Sequence, residues 1–112
     1  MKNLKAEMFN KKASNPKNKP NLILEALRLQ HGQKIADIGA GGGYFSLQFA
    51  EAVGTDGQVF AVDTNPQFLD FIKKAAKEKG LNNVVTILTE KDKPTLQGEN
   101  LNLIFMRTCA IT

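Results

Sequence analysis

The chain has 112 residues, a formal net charge of +4, 42% hydrophobic and 23% charged residues, the profile of one globular domain with a modest core. Its apolar runs reach only four to six residues, against the roughly 20 that a membrane-spanning helix needs, and its first residues are too polar for a signal peptide, so a cytoplasmic location is expected. The single cysteine, Cys109, excludes an internal disulfide, and the single histidine, His31, stands in a turn with no second ligand or triad partner at working distance along the chain, so no metal site is expected.

Residues 1–19 read as a flexible basic arm. LKAEMF (residues 4–9) suits a short helical turn, whereas NKKASNPKNK (residues 10–19) lacks apolar periodicity and reads as linker. Residues 1–34 hold eight of the 15 basic residues and only two acids, Glu7 and Glu25. Such an arm raises the question of nucleic acid. The charge is modest, only Phe9 lies near the basic run to stack on a base, and no recognition helix or zinc spacing is present. Nucleic acid is therefore not the expected partner.

Residues 20–112 form the second region. PNLILEALRL predicts a helix from Pro20 to Leu29, closed by Gly32. Then comes KIADIGAGGGY (residues 34–44), the most informative stretch of the chain. The apolar run Ile35-Ala36-Asp37-Ile38 drops into a glycine cluster, and YFSLQFAEAV (residues 44–53) follows with helical periodicity. That is a strand, a tight turn and a helix start, the arrangement by which α/β proteins present backbone N–H groups to a ligand. Gly39, Gly41 and Gly43 follow Asp37 in the spacing D-x-G-x-G-x-G, and glycine there permits positive φ and close backbone approach.

Two cofactor motifs fail on this turn. The dinucleotide pattern G-x-G-x-x-G would need its third glycine at Tyr44, or at Ser46 in the later frame. A P-loop would need Gly-Lys-Ser/Thr after the turn, and none follows.

The turn GTDGQ (residues 54–58) leads to a second apolar run, Val59-Phe60-Ala61-Val62, ended by Asp63. In a βαβ unit that acid lies at the carboxyl end of its strand, beside the glycine turn, where it can accept hydrogen bonds from both hydroxyls of a ribose. It stands 24 residues past Gly39, near the offset of about 20 of such units. Thr64-Asn65-Pro66 opens a helix with Phe68, Leu69, Phe71, Ile72, Ala75 and Ala76 on one face and a solvated lysine face on the other; Gly80 stops it. Val84 to Thr89 reads as a third strand, ended by Glu90, and Leu101 to Met106 as a fourth.

The D-x-G-x-G-x-G turn resembles the first motif of the class I S-adenosylmethionine-dependent methyltransferases. The phrase ILEALRLQHGQKIADIG resembles their quinone-biosynthesis and small-molecule branch. The resemblance spans residues 20–107, sharpest from Asp37 to Gly43. It implies an α/β, Rossmann-like, doubly wound and mostly parallel sheet of strand order 3-2-1-4, with S-adenosyl-L-methionine as cofactor. The family's full fold has seven strands and roughly 200 residues or more, so the chain is expected to be its first half, truncated after about four strands. The fourth strand would then be an open edge inviting a partner chain or self-association.

On the same resemblance, Gly39, Ala40, Gly41 and Gly43 would approach the amino-acid moiety and sugar of the cofactor. Asp37 would fix the turn and bind the ammonium, directly or through water. Asp63, with Thr64 beside it, would hold the ribose, and Glu90 or Asp92 the adenine. Tyr44 would cover the methionine end or pack. Asn102 stands where the family usually has Asp. The implied chemistry is methyl transfer to a small-molecule acceptor, with no catalytic base assignable. Two other readings remain: a non-catalytic cofactor-binding or association module, and a dinucleotide-dependent oxidoreductase fragment, which Tyr44 disfavours.

Overall fold

A computed structural model describes residues 6–8, 10–11, 20–90 and 101–106; Asp92 and Cys109 lie outside them. Four strands form one parallel sheet: β1 (Lys34–Ile38), β2 (Gln58–Asp63), β3 (Val84–Leu88) and β4 (Leu103–Met106). Their order is β3-β2-β1-β4, as the sequence implied. Parallel neighbours need crossovers of one hand, which puts consecutive connecting helices on one face. The helices are α1 (Pro20–Leu27), α2 (Tyr44–Val53) and α3 (Pro66–Glu78).

Helix α1 stops short of the predicted Leu29. Arg28 takes a left-handed φ of 49°, and this turn lets Leu29 join Ile23, Leu24 and Leu27 against the core. Gly32 closes the approach to β1 rather than the helix, its N–H donating to the Val53 carbonyl at 2.8 Å. Helix α2 is buried more fully than an amphipathic surface helix, because α1 and the sheet enclose it: Phe45, Ser46, Leu47, Phe49, Ala50 and Val53 are all inside. Phe45 and Phe49 meet Phe105 of β4 at 5.3 and 5.1 Å between ring centroids. These contacts fasten β4 to the helix as well as to β1.

Helix α3 has a legible start and stop. The Asn65 side chain accepts from the Gln67 N–H at 2.9 Å, with Pro66 next in line. At the other end Gly80 has φ 70°, and the Gly80 and Leu81 N–H groups return to the Lys77 and Ala76 carbonyls at 3.1 and 2.9 Å. This is the Schellman arrangement, satisfying carbonyls the helix leaves open. Lys73, Lys74, Lys77 and Lys79 are exposed.

Two asparagines tie distant segments together. Asn102 accepts from the Lys34 N–H through Oδ1, and its own N–H donates to the Lys34 carbonyl, both at 2.8 Å. The site needs an acceptor, which the Asn side chain supplies. Asn83 donates through Nδ2 to the Ala50 and Gly54 carbonyls at 2.9 and 2.8 Å, closing the end of α2. Asn83→Ala is expected to lower stability by about 2 kcal/mol in urea unfolding. Asn83→Asp should cost more, because a carboxylate would face two carbonyls at a helix C-terminus.

The sheet face away from α2 and α3 is apolar beyond the Lys34 and Gln58 pair at its edge. Register places Ala36 beside Phe60 and Ile104, Ile38 beside Val62 and Met106, and Val85 beside Phe60. Its centre is buried, with Leu101 packed on Ala36, Phe60 and Val62. Ile104 and Met106 on β4 are 57% and 62% exposed. Among the described residues β4 has β1 on one side and no strand on the other.

Candidate functional site

The carboxyl ends of β1, β2 and β3 converge on the glycine turn. Gly39, Gly41 and Gly43 have φ of 72°, 58° and 83°, all in the left-handed region that side chains disfavour. The N–H groups of Gly39 and Ala40 both donate to the Val62 carbonyl, at 2.8 and 3.0 Å. The turn is thus bolted to the end of β2, one residue before Asp63. The Ala40 carbonyl accepts from the Gly43 N–H at 2.9 Å.

Asp63 completes the connection. One carboxylate oxygen accepts from the Gly41 N–H at 2.8 Å and the other from the Asn65 N–H at 3.0 Å. Each oxygen keeps lone-pair capacity, and the half-buried carboxylate is oriented before any ligand arrives. Thr64 is exposed beside it. The Asp63 carbonyl accepts from the Thr89 N–H at 3.0 Å, which brings the end of β3 alongside. Glu90 is exposed just beyond, at the same end of the sheet. Tyr44 is half-buried, edge-on to Phe45 at 5.2 Å, and belongs to the packed core fringe.

Asp37 lies beneath the turn, buried, its Oδ2 accepting from Ser46 Oγ at 2.6 Å. Burial pushes its carboxyl from the ordinary 3.8 up to about 7; the Ser46 hydroxyl opposes the rise, and the Asp63 charge adds to it. Because the folded value is the higher one, the folded state holds a proton that the unfolded state releases between about pH 4 and 7. The contribution of this group to stability therefore falls as pH rises through that window and levels off above it. Asp37→Asn keeps an acceptor for Ser46 and removes the titration. Urea unfolding from pH 4 to 8 should show the variant gaining on the parent as pH rises and exceeding it at pH 8.

Three contacts at the site escaped the sequence reading. Ser46 is a polar residue on the buried side of α2, visible only as a break in an apolar stripe. Asn65 serves twice, capping α3 and donating to Asp63. Asn10, the first residue of the stretch read as linker, is helical and bonds to the turn itself: its Nδ2 donates to the Gly42 carbonyl at 2.8 Å, and its Oδ1 accepts from the Tyr44 N–H at 2.9 Å. Nothing in its local sequence marks it.

A family model described as a methyltransferase domain matches residues 29–111. The chain belongs to the class I S-adenosylmethionine-dependent methyltransferases. A protein-L-isoaspartate O-methyltransferase of Methanosarcina mazei is 37% identical over 67 residues, covering 60% of this chain and 28% of that protein. Aklanonic acid methyltransferase DauC of a Streptomyces species is 30% identical over 73 residues, covering 65% and 33%. Among solved structures, a SAM-dependent methyltransferase from Aquifex aeolicus superposes with a TM-score of 0.73 at 26% identity, covering 88% of this chain and 55% of that one. The chain spans between a quarter and two fifths of the length of the curated methyltransferases it matches.

The turn suits this family's cofactor better than a pyrophosphate. A bound pyrophosphate draws on free N–H groups at a helix N-terminus. Here the N–H groups of Gly39, Ala40, Gly41, Gly43 and Tyr44 are all engaged within the protein. The Asp63 carboxylate beside the turn opposes a polyanion. A Cβ at Gly39 would meet no atom within 4 Å, so the open side of the turn is there. Among the described residues no group of three or more His, Cys, Asp or Glu side chains is placed to hold a metal ion. Among the described residues no helix is long and apolar enough to cross a membrane.

Proposed function

We propose that this chain binds S-adenosyl-L-methionine across the glycine turn and takes part in methyl transfer from it. The observation that carries the reading is the Asp63 carboxylate, fixed by the Gly41 and Asn65 N–H groups at 2.8 and 3.0 Å. A ribose laid against it finds an acceptor already aimed and partly desolvated, at little cost in ordering. Gly39, on the open side of the turn, lets the amino-acid end of the cofactor approach the backbone. Asp37 and its Ser46 partner fix the turn from beneath, and an ammonium bound above them would favour the ionised carboxylate. Glu90, beyond β3, is offered to the adenine amine. Tyr44 closes the methionine end by packing against Phe45.

When bound, the cofactor supplies a methyl group already activated by its sulfonium, for in-line attack by an acceptor nucleophile. The residues described here contribute position: they fix the sugar and amino-acid ends so that the methyl points in one direction. The names of the matched methyltransferases include a protein acceptor and a small-molecule one, so an acceptor screen spans both classes.

Calorimetric titration of the purified chain with S-adenosylmethionine, S-adenosylhomocysteine and NAD tests the reading. Saturable binding of the first two and none of NAD is the expected result. A folded chain that binds NAD alone, or none of the three, would overturn it.

A further inference from the structure

The residue that precedes helix α2 in the capping position is Gly43, which has no side chain, and no side-chain cap bond is made from it. The N-terminal N–H groups of a helix nonetheless need acceptors. The acceptor at Tyr44 comes from Asn10, 34 residues earlier in the chain. The same carboxamide donates to the Gly42 carbonyl at 2.8 Å. These two bonds straddle Gly43, whose φ of 83° sets the shape of the turn. The fit is close: a Cβ on Gly42 would collide with the Ala6 carbonyl and the Asn10 side chain. Ala6 is fully buried.

We propose that Asn10 is a positioning residue for the cofactor turn, a cap lent to α2 from a segment 34 residues earlier, which makes Asn10 and the Ala6 backbone a working part of the site. This rests on the cofactor reading above. The carboxamide is suited to the task because one end donates and the other accepts. Aspartate keeps the acceptor for Tyr44 but sets an oxygen against the Gly42 carbonyl; alanine keeps neither bond. A ligand that needs the turn in this shape also favours the latched segment, and the coupling runs equally in both directions.

The test uses the full chain and two readouts. S-adenosylhomocysteine affinity is measured for the parent, Asn10→Ala and Asn10→Asp, alongside the rate of tryptic cleavage after Lys11 with and without ligand. Asn10→Ala should bind about tenfold more weakly, with Asn10→Asp in between. Cleavage after Lys11 should be faster in Asn10→Ala without ligand, and saturating ligand should slow it in the parent far more than in the variant. Parent-like affinity in Asn10→Ala or Asn10→Asp, or equal ligand-free cleavage rates in the parent and Asn10→Ala, would overturn the proposal. If the parent binds no S-adenosylhomocysteine, the cofactor reading fails by itself. The ligand-free cleavage comparison then still decides the latch: faster cleavage in Asn10→Ala upholds it and equal rates sink it.

Discussion

Asp63→Ala is expected to weaken S-adenosylhomocysteine binding by about 100-fold or more, in titrations run on a protein that still gives the parent's circular dichroism spectrum. A ribose held through two hydroxyls would lose two charge-assisted hydrogen bonds, each of about 1.5–3 kcal/mol, and about 1.4 kcal/mol is a factor of ten in affinity. The substitution also strips the Gly41 and Asn65 N–H groups of their acceptor. A fall in melting temperature should therefore accompany the lost affinity. Asp63→Asn separates the two effects poorly, because its amide nitrogen must face one of those N–H donors. An Asp63→Ala protein that binds as the parent does would remove the central support of the cofactor reading.

Gly43→Ala is expected to damage the fold itself. At φ 83° an alanine carries backbone strain, about 1–3 kcal/mol. Its Cβ would also come within 2.6 Å of Ile72 Cγ1, in the packed cluster of Ala61, Leu69 and Ile72. Overpacking of this kind costs about 1–3 kcal/mol more. For a domain whose whole stability is of order 5–15 kcal/mol, the melting temperature should fall by about 12 °C or more. Gly39→Ala provides the contrast. Its φ is 72°, but the added methyl meets nothing within 4 Å. It should lose only the backbone share of stability, yet bind cofactor poorly, because the methyl occupies the open side of the turn. Gly32→Ala, with φ 86° and equally open space, reports the backbone share alone. Equal melting temperatures for the Gly43 and Gly39 variants would refute the assignment of Gly43 to packing.

The central βαβ unit was legible in the sequence because its signals are local. Apolar runs of strand length, a glycine spacing and an acid at a set offset lie within thirty residues of one another. The end of α3 was legible for the same reason: Gly80 acts on the turn it terminates. What the sequence hid is long-range or many-sided. Leu29 lies outside α1 because Arg28 turns the chain toward the core, a gain no helix propensity records. Ser46 acquires its role only when α2 lies on β1 and meets Asp37. Asn10 sits in a polar stretch without periodicity, and the groups it bonds are backbone atoms, which have no sequence signature at all. Asn83 and Asn102 are read the same way, as side chains standing in for backbone partners that are remote along the chain.

The register of the sheet also carries a statement about how the chain folds. Partners across β1 and β2 are 24 residues apart (58 minus 34), and those across β2 and β3 are 25 apart (84 minus 59). Across β1 and β4 the separation is 68 (103 minus 35). Closing the longer loop costs about 0.9 kcal/mol more in chain entropy than closing the shorter. The first three strands and their two crossover helices are nearly contiguous, so they form the natural nucleus, and β4 docks onto it afterwards. Truncating Phe105 should then speed unfolding more than it slows folding, whereas truncating Val59 should do the reverse. The bonds that tie the glycine turn to Val62 and Asp63 lie inside this early part, and those from Asn10 are added to it.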